Sequence, residues 1–130
     1  PMVDGGVSDS IPLKRAMDLG FQFNIVVLTR NKGYRSKSSF YKRSAFLYRK
    51  YPNLMKTLER RREMYNEQTA FVEEQEQKGH ILVIRPERKL EVGRLCTNTD
   101  KMRRLYDEGY AVAKQRIEAF LKQGLPLEKS

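Results

Sequence analysis

The first residue with catalytic potential is Asp4, a carboxylate that follows two apolar residues and precedes two glycines. A carboxylate can act as a general acid or base when a reacting group lies within hydrogen-bond reach. Gly5 and Gly6 allow the backbone to turn sharply beside it. Asp-Gly-Gly is also a common structural turn, so the tripeptide alone favours a structural role.

No serine in the chain has the setting of a nucleophile. A serine nucleophile elbow has the pattern Gly-x-Ser-x-Gly between a strand and a helix. The nearest approach is Gly6-Val7-Ser8-Asp9-Ser10, which lacks the final glycine. We therefore interpret Ser8 as a turn or capping residue. Acyl transfer also needs oxyanion donors, and the chain has no glycine-rich loop that would supply them.

Histidine and cysteine offer little further chemistry. His80 is the only histidine and lies between Gly79 and a hydrophobic run, which favours a turn or hydrogen-bonding role. Cys96 is the only cysteine, and we expect a buried, inert thiol. No paired cysteine or histidine spacing and no phosphate-binding loop is present, so we predict neither a metal site nor a cofactor.

The segment around Asp4 resembles a known family. Asp-Gly-Gly-Val-Ser-Asp-Ser-Ile-Pro-Leu at residues 4–13, with the short helix and hydrophobic strand expected after it, resembles the second conserved block of patatin-like phospholipases. Arg85-Pro86, Val92-Gly93-Arg94 and the run Leu105-Tyr106-Asp107-Glu108-Gly109-Tyr110 resemble the tail of bacterial members. The resemblance covers most of the chain, although residues 33–75 match only loosely.

The resemblance implies a lipid acyl hydrolase with a Ser-Asp dyad. Asp4 would be its catalytic aspartate, and Gly5 and Gly6 would form the turn that presents it. The dyad serine and the oxyanion loop would lie upstream. We therefore expect the C-terminal portion of such an enzyme, which supplies the base and is inactive alone. Histidine and cofactors are not required in that scheme, and the implied substrate is a lipid ester or phospholipid.

The elements around these residues predict an α/β fold. A short helix should end at Gly20, and Phe21 to Thr29 should form a core strand buried on both faces. A long helix should run from Pro52 to about Gln77, followed by a strand over Ile81 to Ile84. We also expect a short helix over residues 44–50. By resemblance, this is part of a three-layer α/β/α patatin-like fold, with a largely parallel sheet and a helix-rich C-terminal part.

The last predicted helix begins near Thr97, Asn98 and Thr99, which can cap it. An apolar stripe at helical spacing should be its packing face; its members are Met102, Leu105, Tyr106, Tyr110, Ala113, Ile117 and Leu121. Gly109 lies within this stripe, which predicts close packing there. We treat residues 1–130 as a single unit, with the Asp-Gly-Gly turn, helix and core strand in 1–30 and the other elements in 31–130.

A basic segment points to an anionic partner. Residues 30–62 contain twelve lysines and arginines and one acid, and the whole chain carries a formal charge of +10. Tyrosines and phenylalanines accompany the cations, which is typical of membrane interfaces and of single-strand nucleic-acid binding. A merely solvated face is an equally good interpretation. The patatin resemblance favours anionic lipid, and the candidate contacts are Arg35, Lys37, Lys42 and Arg43.

Two alternatives to the enzyme fragment remain open. One is a non-catalytic interaction domain of the same descent, and the other is a basic nucleic-acid-binding module, for which Asp4 would have no use. For the enzyme fragment we expect a cytoplasmic location, peripheral at the membrane. Because a hydrophobic parallel strand needs neighbours, we also expect self-association or pairing with an upstream part of the domain.

Overall fold

The computed structural model describes residues 4–36, 50–90, 92–93 and 96–122. A 3-10 turn at Gly5–Val7 opens this part of the chain. It is followed by helix α1 (Leu13–Asp18), strand β1 (Asn24–Val27), helix α2 (Pro52–Gln77), strand β2 (Ile81–Ile84) and helix α3 (Thr99–Lys122). The short helix predicted over residues 44–50 lies outside the described residues, apart from Lys50.

The two strands form a parallel pair, with Asn24 opposite Ile81 and Val27 opposite Ile84. Another backbone hydrogen bond, from Leu28 N to the Ile84 carbonyl, extends the pairing by one residue. Parallel neighbours need a crossover connection, and α2 lies in that connection. This order confirms the α/β class predicted from the sequence.

One face of the sheet carries the core. Leu13 of α1, Val72 of α2 and the β2 residues Ile81 and Val83 form a buried cluster. Because side chains alternate along a strand, Leu82 must point to the opposite face. The third helix, α3, contacts β2, and its Phe120 stacks on Phe23 with ring centroids 5.0 Å apart.

The long helix begins and ends where the sequence predicts. Pro52 occupies the first turn, where a missing N–H costs nothing. At the other end, Gly79 has a φ of +73°. The Gly79 N–H donates to the Glu76 carbonyl, and the His80 N–H donates to the Gln75 carbonyl. This pair of bonds is a Schellman motif, which satisfies carbonyls at the helix end.

The prediction for the first strand was wrong in its extent and burial. The strand predicted over residues 21–29 is reduced to Asn24–Val27, and Ile25 and Val27 are exposed. In β2, by contrast, three successive residues are buried, and its predicted bounds are confirmed. The difference arises because helices cover both faces of the sheet at β2. Among the described residues, one face and the outer edge of β1 have no such cover.

The packing predicted for α3 was also wrong. Asn98 caps the helix as expected, since its side chain accepts a hydrogen bond from the Lys101 N–H at 2.9 Å. The predicted stripe is largely exposed, however, with Met102, Tyr106 and Leu121 each more than half accessible. A Cβ on Gly109 would meet no atom of a neighbouring element within 4 Å, so the described residues do not provide the close packing expected there.

Among the described residues, no helix combines the length and apolar character needed to cross a bilayer.

Candidate functional site

The Asp4 carboxylate is exposed at the start of a 3-10 turn. Its Oδ1 accepts a hydrogen bond from the Gly6 N–H at 2.7 Å, so Asp4 caps the turn that follows it. A second bond closes the turn, from the Val7 N–H to the Asp4 carbonyl. The carboxylate accepts no other hydrogen bond from the described residues, which leaves Oδ2 available. The Asp-Gly-Gly turn predicted from the sequence is therefore present.

The two glycines of the turn are not equivalent. A Cβ on Gly6 would lie 3.1 Å from the Asp4 Oδ1, closer than an ordinary van der Waals contact. A Cβ on Gly5 would meet no atom within 4 Å. Neither glycine has a positive φ. The absence of a side chain therefore matters at Gly6, where it keeps the carboxylate close to the backbone N–H.

Arg61 of α2 anchors the turn at the Gly6 carbonyl. Its Nε donates to that oxygen at 3.1 Å, and the Ser10 hydroxyl donates to the same oxygen at 2.7 Å. The Ser10 hydroxyl is used in this bond, and α1 starts after Pro12 without a side-chain cap. Ser8 donates to the Gly5 carbonyl at 3.2 Å, in agreement with its interpretation as a turn residue.

Gln68 of α2 anchors residues 9–11, which follow the turn. Its Nε2 donates to the Asp9 carboxylate at 2.6 Å, and its Oε1 accepts from the Ile11 N–H at 3.0 Å. Residues 61 and 68 lie seven positions apart and so on one face of the helix. The segment between Asp4 and Ile11 is thus tied to α2 at two points.

Sequence reasoning missed this anchoring. No role for Arg61 or Thr69 was predicted from the sequence. The structure shows that these positions face inward: Arg61 bonds the turn, and Thr69 is buried, with its hydroxyl donating to the Tyr65 carbonyl. Polar residues at inward positions of a helix were the available signal, because buried polar groups require partners.

An open groove of about 440 Å³ lies beside β1. It is bounded by the start of α1, by the strand and the two residues that follow it, and by one tyrosine of α2. Its lining residues are Ser10 to Leu13, Ala16, Asn24 to Thr29 and Tyr65. Asp4 is not among them. The groove is therefore a property of the uncovered side of β1, and the carboxylate lies outside it.

Arg35, one of the four candidate lipid contacts, is engaged with Glu73 of α2. Its guanidinium donates to both carboxylate oxygens, at 3.3 and 2.8 Å, and the Gly33 N–H donates to Oε1 at 3.2 Å. The hydrogen bond from Arg35 lowers the pKa of Glu73, while the same bond raises the pKa of Arg35. The other three candidates, Lys37, Lys42 and Arg43, lie outside the described residues.

Arg85, directly after β2, is a buried cation between two acids of α2. Its side chain is 4% exposed, forms an ion pair with Glu76, and lies 3.9 Å from Glu73. Burial lowers the pKa of Arg85, and the nearby Glu73 charge opposes that shift. Burying a charge is costly unless it is paired, so the carboxylates of Glu73 and Glu76 are needed to stabilise the buried Arg85. They join the end of β2 to α2.

The remaining candidates have structural roles. His80 Nδ1 lies 2.9 Å from Gln75 Oε1, which confirms the predicted hydrogen-bonding role in the turn after α2. Cys96 is partly exposed, so the expectation of a buried thiol was wrong. In the part of the chain that the structure describes, no group of three or more histidine, cysteine or acidic side chains could hold a metal ion.

Comparison with known proteins identifies one family. A family model described as a domain of unknown function, DUF6363, matches residues 51–123, which is more than half of the chain. Neither the curated proteins nor the solved structures contain a match. The matched range takes in α2, β2 and α3, and therefore Arg61, Gln68 and the buried Arg85, while Asp4 and β1 precede it. On this match, the chain belongs to the DUF6363 family.

Proposed function

We propose that this chain is part of a patatin-like serine lipid acyl hydrolase and supplies its catalytic aspartate, Asp4. In this proposal the nucleophilic serine and the oxyanion donors belong to a part of the enzyme outside these 130 residues. The chain alone would then be inactive. The observation that supports the proposal best is the exposed Asp4 carboxylate. Its turn is held by the hydrogen bond from the Gly6 N–H to Asp4 and by the hydrogen bond from Arg61 to the Gly6 carbonyl.

The turn suits Asp4 to act as a base. The Gly6 N–H holds Oδ1 in place, which leaves Oδ2 free to accept a serine proton. Serine attacks the ester carbonyl as its proton passes to Asp4, and an acyl-enzyme forms while the alcohol leaves with a proton. Water then attacks the acyl group with Asp4 again as base, and the acid and the free serine are regenerated. No group other than the dyad needs to carry the proton.

The anchoring of the turn supports the same role. A catalytic base must be held within hydrogen-bond reach of the group it deprotonates. Here Arg61 and Gln68 tie the segment after Asp4 to a 26-residue helix. A rigid element therefore carries the carboxylate, which is the arrangement that precise positioning requires. The parallel β1–α2–β2 order that follows the turn is compatible with the proposed three-layer patatin-like fold.

The test is ester hydrolysis by the enzyme that contains this chain, with Asp4→Asn compared against Asp9→Asn. Loss of a general base lowers the rate by about 10²- to 10⁴-fold, so Asp4→Asn should reduce kcat by that factor. Asp9→Asn is a matched control because it makes the same chemical change five residues away. An asparagine oxygen there can still accept the Gln68 hydrogen bond, so activity should stay within about twofold of wild type.

A short-chain chromogenic ester measures the chemistry, and phospholipid vesicles then measure the action on lipid. Circular dichroism confirms that both variants are folded. An enzyme that is active and indifferent to Asp4→Asn would contradict the proposal, and so would equal losses in the two variants. A protein without any esterase activity would favour the second candidate.

The second candidate is a non-catalytic interaction domain of the same descent. The exposed apolar surface favours it: Val27, Tyr106 and Tyr110 are each more than 60% accessible. Large exposed apolar patches commonly mark interaction surfaces. In this function the α2–β2–α3 framework would serve to present α3 and β1 to a partner, and Asp4 would be only a turn residue.

A further inference from the structure

A small pocket where α3 begins brings together several cations. It has a volume of about 190 Å³ and lies between α3 and the segment that follows β2. Of the lining residues that the structure describes, four are basic, one is acidic and three are aliphatic. They are Arg88, Lys89, Leu90, Val92, Lys101, Arg104, Leu105 and Glu108. The described part of the lining therefore carries a net positive charge, with apolar side chains beside the charged groups.

Helical spacing gathers half of this lining onto one face of α3. Lys101, Arg104, Leu105 and Glu108 follow the spacing i, i+3, i+4, i+7, which places their side chains side by side. Glu108 accepts a hydrogen bond from Arg88 at 3.3 Å. Lys89, Lys101 and Arg104 have no acidic partner among the described residues. Among the described lining residues, the one acid is thus engaged, while three cations have no acidic partner.

The position on the helix adds to the positive potential. Unpaired N–H groups give the first turn of a helix a partial positive charge, so anions stabilise that end and cations destabilise it. Lys101 lies in the first turn of α3, and Arg104 lies in the second. Asp100 is the acidic residue of the first turn. The side chains of Lys101 and Arg104 therefore add to the positive potential of the helix start, Asp100 offsets part of it, and a bound anion would lower it further.

The size and lining of the pocket indicate the class of anion. A volume of 190 Å³ is about six times the share of one water molecule in the liquid. This leaves room for a phosphate group and a few attached atoms. Arginine and lysine both bind phosphate oxygens, arginine through paired N–H donors. Leu90, Val92 and Leu105 can contact a carbon portion of the same ligand.

We propose that this pocket binds a phosphate monoester through Lys101, Arg104 and Lys89, with the aliphatic residues against its carbon skeleton. The phosphate belongs either to a soluble ester or to a lipid headgroup. The proposal is independent of Asp4 and of ester hydrolysis. It assigns a binding site to the part of the chain that defines its DUF6363 membership.

The experiment compares the full chain with two double variants of equal charge. Lys101→Gln/Arg104→Gln removes two cations from the pocket. Arg103→Gln/Lys114→Gln removes two cations from exposed positions of the same helix that do not line the pocket. The probes are inorganic phosphate, glycerol 3-phosphate and phosphatidylcholine vesicles that contain phosphatidic acid, each compared with sodium chloride of matched ionic strength.

Phosphate or glycerol 3-phosphate should raise the Tm of the wild type and of the control variant, and should shift the amide resonances of residues 101–108. The pocket variant should bind at least about tenfold more weakly, which corresponds to the loss of one charge-assisted contact. Without ligand and at low salt, the pocket variant should be more stable than wild type, because repulsion at the helix start is relieved.

Binding to the vesicles alone, with the loss confined to the pocket variant, identifies a lipid headgroup as the source. Binding of the soluble probes alone identifies a soluble ester. Equal losses in the two double variants would show nonspecific attraction by net charge and would overturn the proposal. The absence of any effect beyond that of sodium chloride would also overturn it.

Discussion

Glu73 of α2 contacts the segments that follow both strands. Its carboxylate accepts hydrogen bonds from the Gly33 N–H and the Arg35 guanidinium, which belong to the loop after β1. The same carboxylate lies 3.9 Å from the buried guanidinium of Arg85, which follows β2. One acid on α2 therefore holds the segments that follow both parallel strands. Its side chain is 15% exposed, so solvent screens these interactions only in part.

Glu73→Gln should destabilise the fold in a pH-dependent way. The pKa of Glu73 is lowered chiefly by Arg35, so its stabilisation is present above the unfolded-state pKa of about 4.3 and is lost as pH falls through the lower folded value. At pH 7 we expect a loss of about 1 to 2 kcal/mol, since Arg35 is partly exposed. Urea denaturation between pH 3 and 7 measures both effects.

The matched control for this change is Glu67→Gln, which removes the same charge from an exposed position of α2. Its free energy of unfolding should follow the wild-type pH profile. Glu73→Gln should instead show a flatter profile on the acidic side, because the group responsible for part of the slope is gone. Identical profiles for wild type and Glu73→Gln would show that the carboxylate contributes little to stability.

At the residue scale, the sequence predicted contacts between neighbouring residues and missed contacts between residues far apart in the chain. The Asp-Gly-Gly turn follows from three adjacent residues whose backbone preferences are known. The bonds from Arg61 to the Gly6 carbonyl and from Gln68 to Asp9 join residues more than fifty positions apart. No periodicity or composition encodes such pairs, because they depend on how α2 crosses the segment.

At the scale of elements, boundaries set by proline and glycine were predictable. The bounds of α2 and β2 follow from Pro52, Gly79 and Pro86, whose backbone restrictions act within one or two residues. Which face of α3 is covered was not predictable. An apolar stripe indicates that a helix has a hydrophobic face, but it does not identify the surface that covers it.

The two glycines Gly79 and Gly109 should respond to alanine in opposite directions. Gly109 lies inside α3 with open space around its Cβ position, so Gly109→Ala should stabilise the fold by about 0.5 to 1 kcal/mol. Gly79 has a φ of +73° at the end of α2, so Gly79→Ala should cost about 1 to 2 kcal/mol. Urea denaturation of the two variants measures both values.

Each of these glycine variants is the control for the other, because the chemical change is the same. A loss of stability in Gly109→Ala would mean that a surface outside the described residues packs against α3 at that position. Such a result would restore the close packing that the sequence suggested. Neutral behaviour of Gly79→Ala would show that the helix end adapts without its Schellman motif.

At the scale of the whole molecule, the exposed side of β1 is the feature that needs an explanation. Among the described residues β1 has one neighbouring strand, β2, and its other edge presents unpaired backbone groups. Ile25 and Val27 are 53% and 70% exposed beside that edge. Strands with free edges and apolar faces pair readily with another chain. We propose that two copies of this chain associate through β1.

Val27→Lys should weaken this association, because a lysine at the strand edge would bury a charge in the interface. Leu19→Lys is the matched control, since Leu19 is also 70% exposed but lies outside the strand. Light scattering after size exclusion should show a concentration-dependent dimer for wild type and for Leu19→Lys. Val27→Lys should raise the dimer dissociation constant by about tenfold or more, the value of one buried apolar side chain.

A wild-type chain that is monomeric at every concentration would rule out pairing through β1. Equal weakening by both lysines would place the contact on a general apolar surface, since only strand pairing distinguishes position 27 from position 19.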